Sequence, residues 1–128
     1  MSEFKDYSGK KVLYIDDSSG NLMAGMAALG NYKLEVHTGR NMAELFERVK
    51  ENTYDLIILD DMMPENRISG TDAMKKLRAG GYSKPIVVLT ANTSSGDITF
   101  YLKAGFNEHL SKPINIEELD KILNQFLN

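Results

Sequence analysis

Residues 55–70 read DLIILDDMMPENRISG, and the fold is decided by how this stretch is read. The aliphatic run Leu56 to Leu59 ends at two adjacent aspartates, Asp60 and Asp61, and a polar loop containing Pro64 continues to Gly70. A continuous apolar run of this length fits a strand buried on both faces, and such strands belong to parallel sheets covered by helices. The same form recurs in VLYI at Val12 to Ile15 and PIVVL at Pro85 to Leu89. KLEVH at Lys33 to His37 is more mixed, and EHLS at Glu108 to Ser111 is weaker.

The segments between these runs carry helical spacing. Met42, Leu45, Phe46 and Val49 share one face, as do Ile116, Leu119, Leu123 and Phe126. Asn41 with Glu44, and Asn115 with Glu118, place an N-capping side chain three residues before a glutamate. Leu22, Met23, Met26, Ala27 and Leu29 predict a first helix; Ala73, Met74 and Leu77 a short third; Ile98, Tyr101 and Leu102 a fourth. Strand and helix thus alternate five times. Right-handed crossovers turn that alternation into an α/β fold, a three-layer doubly wound (βα)5 sandwich of flavodoxin-like order 2-1-3-4-5.

The chain has 128 residues and no internal repeat, which fits one domain, with residues 1–9 as a polar N-terminal extension and residues 10–128 as the domain. It has no cysteine, so disulfides, thiolate nucleophiles and cysteine-ligated metals are excluded. A net charge of -3 gives no footprint for direct nucleic-acid binding. No apolar stretch reaches the roughly 20 residues of a membrane span, and the polar start lacks a signal-peptide core. A soluble, cytoplasmic setting is the expectation.

In a doubly wound sheet the C-terminal ends of all strands lie on one edge, where ligands bind. Asp16 and Asp17 follow the first strand, Asp60 and Asp61 the third, Thr90 the fourth and Lys112 the fifth. Carboxylates gathered that closely need a cation, and Mg²⁺, a hard ion that takes oxygen ligands, suits them. A carboxylate nucleophile with a lysine, a hydroxyl and a divalent ion around it is equipped for phosphoryl transfer. Each residue also has a plainer reading: Asp16 and Asp17 could cap the next helix, Thr90 could simply end a strand, and Lys112 could be solvated. His37 and His109 lie on different strands without a second ligand at metal spacing, and neither reads as a ligand or a base.

Taken together, VLYIDDSSGNL, DLIILDDMMP, IVVLTAN and AGFNEHLSKPI resemble, in order and spacing, the signature segments of response regulator receiver domains, the phosphoacceptor modules of two-component signalling. The resemblance runs from about Lys10 to the end of the chain. It implies that Asp60 is the phosphorylated aspartate, and that Asp16 and Asp17 hold Mg²⁺ with Asp60 and the backbone carbonyl of Met62. It further implies that Thr90 is the switch hydroxyl, that Lys112, followed by Pro113, contacts the phosphoryl group, and that Asp61 occupies a variable position; Asp61 is accordingly read as a solvated neighbour of Asp60. Met62 and Asn92 are expected to tune hydrolysis of the acyl phosphate. The phosphodonor would be a histidine kinase or a histidine phosphotransfer domain, and an effector would read the face of the fourth helix, fifth strand and fifth helix. Such a domain is a switch that assists its own phosphorylation and dephosphorylation rather than an enzyme. Asn21 and Asn92 favour a receiver cut from a hybrid sensor kinase over a stand-alone one.

The chain departs from the family pattern in two places. His109 stands where receivers carry an aromatic residue whose rotation reports phosphorylation. Between Pro64 and Gly70 lie five residues, Glu65 to Ser69, where three are usual. The longer loop reads either as drift or as a device by which Glu65 or Arg67 modulates access to Asp60. Two other classes remain open from the residues alone. A phosphatase of the haloacid dehalogenase type should carry an acid two residues after its nucleophile, where this chain has Met62. An FMN-binding flavodoxin-like protein should carry a phosphate-binding loop where this chain has Asp16 and Asp17.

Overall fold

Alternate residues of the central strands go to opposite cores, as expected for strands covered on both faces. The computed structural model describes residues 4–61 and 69–128. The elements run β1 (Lys11–Ile15), α1 (Ser19–Gly30), β2 (Glu35–Gly39), α2 (Met42–Glu51), β3 (Leu56–Asp60), α3 (Gly70–Ala79), β4 (Ile86–Thr90), α4 (Ser95–Ala104), β5 (Glu108–Ser111) and α5 (Ile116–Leu127). The strands form one parallel sheet in the order β2-β1-β3-β4-β5, the order expected from the sequence. Val12, Tyr14, Leu56, Ile58, Val87 and Leu89 share one core with Leu22 and Leu29 of α1 and Leu119, Ile122 and Leu123 of α5. Leu13, Ile15, Ile57, Leu59, Ile86 and Val88 face the other, with residues of α2, α3 and α4.

That parity reaches the strand ends and separates the two aspartates. Asp60 continues the series of Leu56 and Ile58, towards the α1 and α5 layer. Asp61 continues that of Ile57 and Leu59, towards α3 and α4.

β2 begins two residues later than the KLEVH reading. Lys33 has φ 59°, in the left-handed region, so the extended chain starts beyond it, and Gly39 pairs with Ile15. Each helix opens on a Ser or Asn whose side chain accepts the amide three residues on: Ser18 from Asn21, Asn41 from Glu44, Ser69 from Asp72, Ser94 from Asp97 and Asn115 from Glu118. Two of these caps, Asn41 and Asn115, were expected from the sequence.

The residues before β1 are polar in sequence yet packed in part. Tyr7 is buried, its amide donates to the Tyr32 carbonyl at 2.9 Å, and the Phe4 ring meets Tyr32 edge-on at 5.1 Å. Phe4 and Tyr7 thus pack against the domain, while Lys5, Asp6, Ser8 and Gly9 stay exposed. Among the described residues, no helix is long and apolar enough to cross a membrane.

Candidate functional site

At the C-terminal edge of the sheet, β1 and β3 deliver Asp16, Asp17 and Asp60 to one place. One carboxylate oxygen from each lies within 4.8 Å of the others. Asp60 and Asp16 are almost fully enclosed, at 1% and 0% exposure, while Asp17 is half-buried. From the end of β5, Lys112 Nζ reaches Asp60 Oδ1 at 2.8 Å. Among the described residues, three carboxylates gather beside the Lys112 ammonium, a concentration of negative charge that a divalent, oxygen-seeking cation would neutralise. On donor chemistry Mg²⁺ fits these residues.

Asp16 is held from both sides. Its Oδ1 accepts the Ser18 amide at 3.0 Å, and its Oδ2 accepts the hydroxyl of Tyr14 at 3.1 Å. The same phenol lies 3.3 Å from the Asn21 carbonyl. Burial, reinforced by Asp16, pushes the Tyr14 phenol far above its ordinary value, so it is a standing donor to that carboxylate. The ring fits because α1 carries glycine opposite it; a Cβ on Gly25 would lie 2.1 Å from Tyr14 Cε2. Sequence reading passed over Tyr14 as one more buried strand residue. Its position two before Asp16, on the same face of β1, is the signal that could have found it. The capping alternative for Asp16 and Asp17 does not hold, because Ser18 takes that place.

Asp61 is not the solvated neighbour that the sequence suggested. It is half-buried, its Oδ1 accepts both the amide and the hydroxyl of Thr71 at 3.0 Å, and its Oδ2 accepts the hydroxyl of Tyr101 at 2.9 Å. It ties the end of β3 to the first turn of α3 and to α4. Thr90, buried at the end of β4, has its hydroxyl 3.2 Å from that of Tyr101 and accepts the Asn92 amide at 2.9 Å.

His109 half-emerges from β5, with Nδ1 3.2 Å from the Glu108 carboxylate. His37 sits between Tyr54 and Glu35 on β2, away from the acidic pocket. Met62 and the loop residues Glu65 to Ile68 lie outside the described residues, so the expectations attached to them have no structural counterpart here.

A family model, the response regulator receiver domain, matches residues 12–124. This chain belongs to the response regulator receiver family. Its flavodoxin-like α/β fold is that of a Vibrio cholerae chemotaxis protein, CheY4, with a TM-score of 0.82 and 31% identity over 92% of this receiver and 98% of that chain. The receiver domain of Saccharomyces cerevisiae Ssk1, solved with the histidine phosphotransfer protein Ypd1, aligns at TM-score 0.82 and 27% identity, covering 98% of this chain and 92% of that one. Among curated proteins, hybrid signal transduction histidine kinase G of Dictyostelium discoideum is 31% identical over 119 residues, which cover 91% of this receiver and 4% of the kinase. The chain spans less than half the length of the curated relatives it matches first. Receiver membership displaces the dehalogenase-type phosphatase and the flavodoxin-like FMN binder as readings of the site.

Proposed function

We propose that this receiver takes a phosphoryl group from a phosphohistidine onto Asp60 and holds it as an aspartyl phosphate. The reading is carried by one observation: Asp60 lies at the junction of the acidic trio and is held at 2.8 Å by Lys112. A carboxylate oxygen of Asp60 attacks phosphorus, the P–N bond of the donor breaks, and the imidazole leaves with the electron pair. Lys112 follows the charge onto the phosphoryl oxygens, and the Thr90 hydroxyl supplies a hydrogen bond to one of them. Asp16, Asp17, Asp60 and the Met62 carbonyl would hold Mg²⁺, which neutralises charge on the transferring group. Tyr14 keeps the Asp16 carboxylate turned for that task. Reversal is hydrolysis: water attacks phosphorus, the Asp60 carboxylate is restored and inorganic phosphate departs. On this reading the domain is a switch that assists its own chemistry.

A phosphodonor has an apolar surface to meet beside the pocket. α1 carries no charged residue, and Met23 is 73% exposed, with Met26 beside it on the surface. The donor is a histidine kinase or a histidine phosphotransfer domain, the second being the kind of partner solved with the Ssk1 receiver. The output face is that of α4, β5 and α5, and the chain works in the cytoplasm, where kinases draw phosphoryl groups from ATP. Incubation with Mg²⁺ and acetyl phosphate, followed by intact mass measurement, should add one phosphoryl group. Asp60→Asn and EDTA should each abolish the gain; labelling that survives either one rejects the assignment.

A further inference from the structure

The hydrogen bonds at Thr90 set up a competition for a single hydrogen. Asp61, as a carboxylate, only accepts, so the Tyr101 hydroxyl must spend its one hydrogen on Asp61 Oδ2 at 2.9 Å. The Tyr101 oxygen can then meet Thr90 Oγ1 at 3.2 Å only as an acceptor, which engages the one hydrogen that Thr90 owns. On its other side Thr90 already accepts the Asn92 amide at 2.9 Å. A phosphoryl oxygen on Asp60 would have to claim that same Thr90 hydrogen.

We infer that Tyr101 is the positioning residue that couples the phosphorylated site to α4: phosphoryl binding withdraws the Thr90 hydrogen from the Tyr101 hydroxyl, and α4 re-seats against the sheet edge about the Asp61 bond that remains. The inference rests on the phosphoacceptor reading above. Tyr101 is 4% exposed and packs edge-on to Phe106 at 5.9 Å and to Phe100 at 5.6 Å. Phe100 is itself 59% exposed on α4, next to the partly exposed Leu102, so any shift of Tyr101 re-aims an apolar surface that a partner can read. Burial raises the Tyr101 phenol above its ordinary value; bonds from Thr90 and Asn92 lower it and Asp61 raises it again. The phenol stays protonated, as the relay needs. At Asp61 the chain of bonds goes on to the amide and hydroxyl of Thr71, so α3 is tied to the same node. His109, by contrast, is turned to Glu108 on its own strand.

The test uses beryllofluoride with Mg²⁺ as the phosphoryl mimic and follows the amide resonances of α4 and the ring Cζ of ¹³C-labelled tyrosine. In the wild type the Tyr101 Cζ resonance and the amides of Ser95 to Ala104 should move on saturation. Tyr101→Phe keeps the ring and loses the hydroxyl; it should bind beryllofluoride about threefold or more tightly, because Thr90 is released beforehand, and its α4 amides should no longer follow binding. An unmoved Tyr101 resonance in the wild type overturns the relay without relying on any variant. Wild-type affinity and wild-type α4 shifts in Tyr101→Phe overturn it as well. A wild type that binds no beryllofluoride defeats the phosphoacceptor reading itself, an outcome separable from failure of the relay alone.

Discussion

Two neighbouring aspartates with the same chemistry end in different surroundings because strand residues alternate sides. Asp60 meets Lys112 and the other pocket carboxylates, whereas Asp61 is occupied by Thr71 and Tyr101. Asp61→Asn should therefore leave Asp60 able to accept a phosphoryl group while lowering stability by about 1–3 kcal/mol, since a half-buried acceptor loses the charge that strengthens its bonds from Thr71 and Tyr101; intact mass after acetyl phosphate and a urea melt check both halves. Tyr14 gives a second residue-scale expectation. Tyr14→Phe removes the donor on Asp16 Oδ2, worth about 1.5–3 kcal/mol for a bond to a charged group, and part of that should appear as weaker Mg²⁺ binding. Titration calorimetry should find affinity about threefold to tenfold lower. Unchanged affinity would mean that Ser18 alone orients the carboxylate.

At the scale of elements, α3 starts hard against the end of β3. A Cβ on Gly70 would lie 2.5 Å from the Asp60 carbonyl oxygen and 2.8 Å from Asp61 Cα. Backbone cannot yield as a flexible side chain does, so Gly70→Ala should cost about 1–3 kcal/mol and disturb Asp60 directly. Thermal melting should show the loss, and slower labelling by acetyl phosphate should accompany it. Much of the element pattern was legible in the sequence. The buried runs of β1, β3 and β4 carry their own signal, and the Asn41 and Asn115 caps announce α2 and α5. Ser69 with Asp72, and Ser94 with Asp97, carry the same kind of signal for α3 and α4, but a lone serine in a polar stretch is easily passed over. The facing of α1 was less legible, because its residues are apolar nearly all round; Leu22, Gly25 and Leu29 are buried while Met23 and Met26 face out. The positions of Asp16, Asp60, Thr90 and Lys112 at the sheet edge followed from topology. The partners of Asp61, Tyr14 and Tyr101 did not, since hydrogen bonds between elements distant in sequence leave no local pattern.

Across the whole molecule, the chain has no tryptophan and six tyrosines, Tyr7, Tyr14, Tyr32, Tyr54, Tyr82 and Tyr101, each with its phenol raised chiefly by burial. Tyr32, buried and facing Asp120, is pushed up to about 12. A group raised in the folded state contributes stability that is complete below its unfolded value, here 10.0, and is lost as pH climbs through the folded one. Stability should thus be flat in these groups below about pH 10, with the Tyr32 share falling between there and about pH 12 and the more strongly raised Tyr14 and Tyr82 extending the fall to higher pH. Tyrosinate absorbance should rise together with loss of far-UV circular dichroism; ionisation near the ordinary value in a folded protein would contradict this. The sheet divides the molecule into two compartments with different business. Met23 and Met26 lie over the α1 side, with the acidic pocket, while Tyr101 and Phe100 belong to α4 on the other. On the proposed reading, a donor over α1 and a reader over α4 approach from opposite faces of the sheet, and they meet only at α5, which shares the α1 layer. A bound reader then hinders recharging of the receiver only as far as it reaches round onto α5.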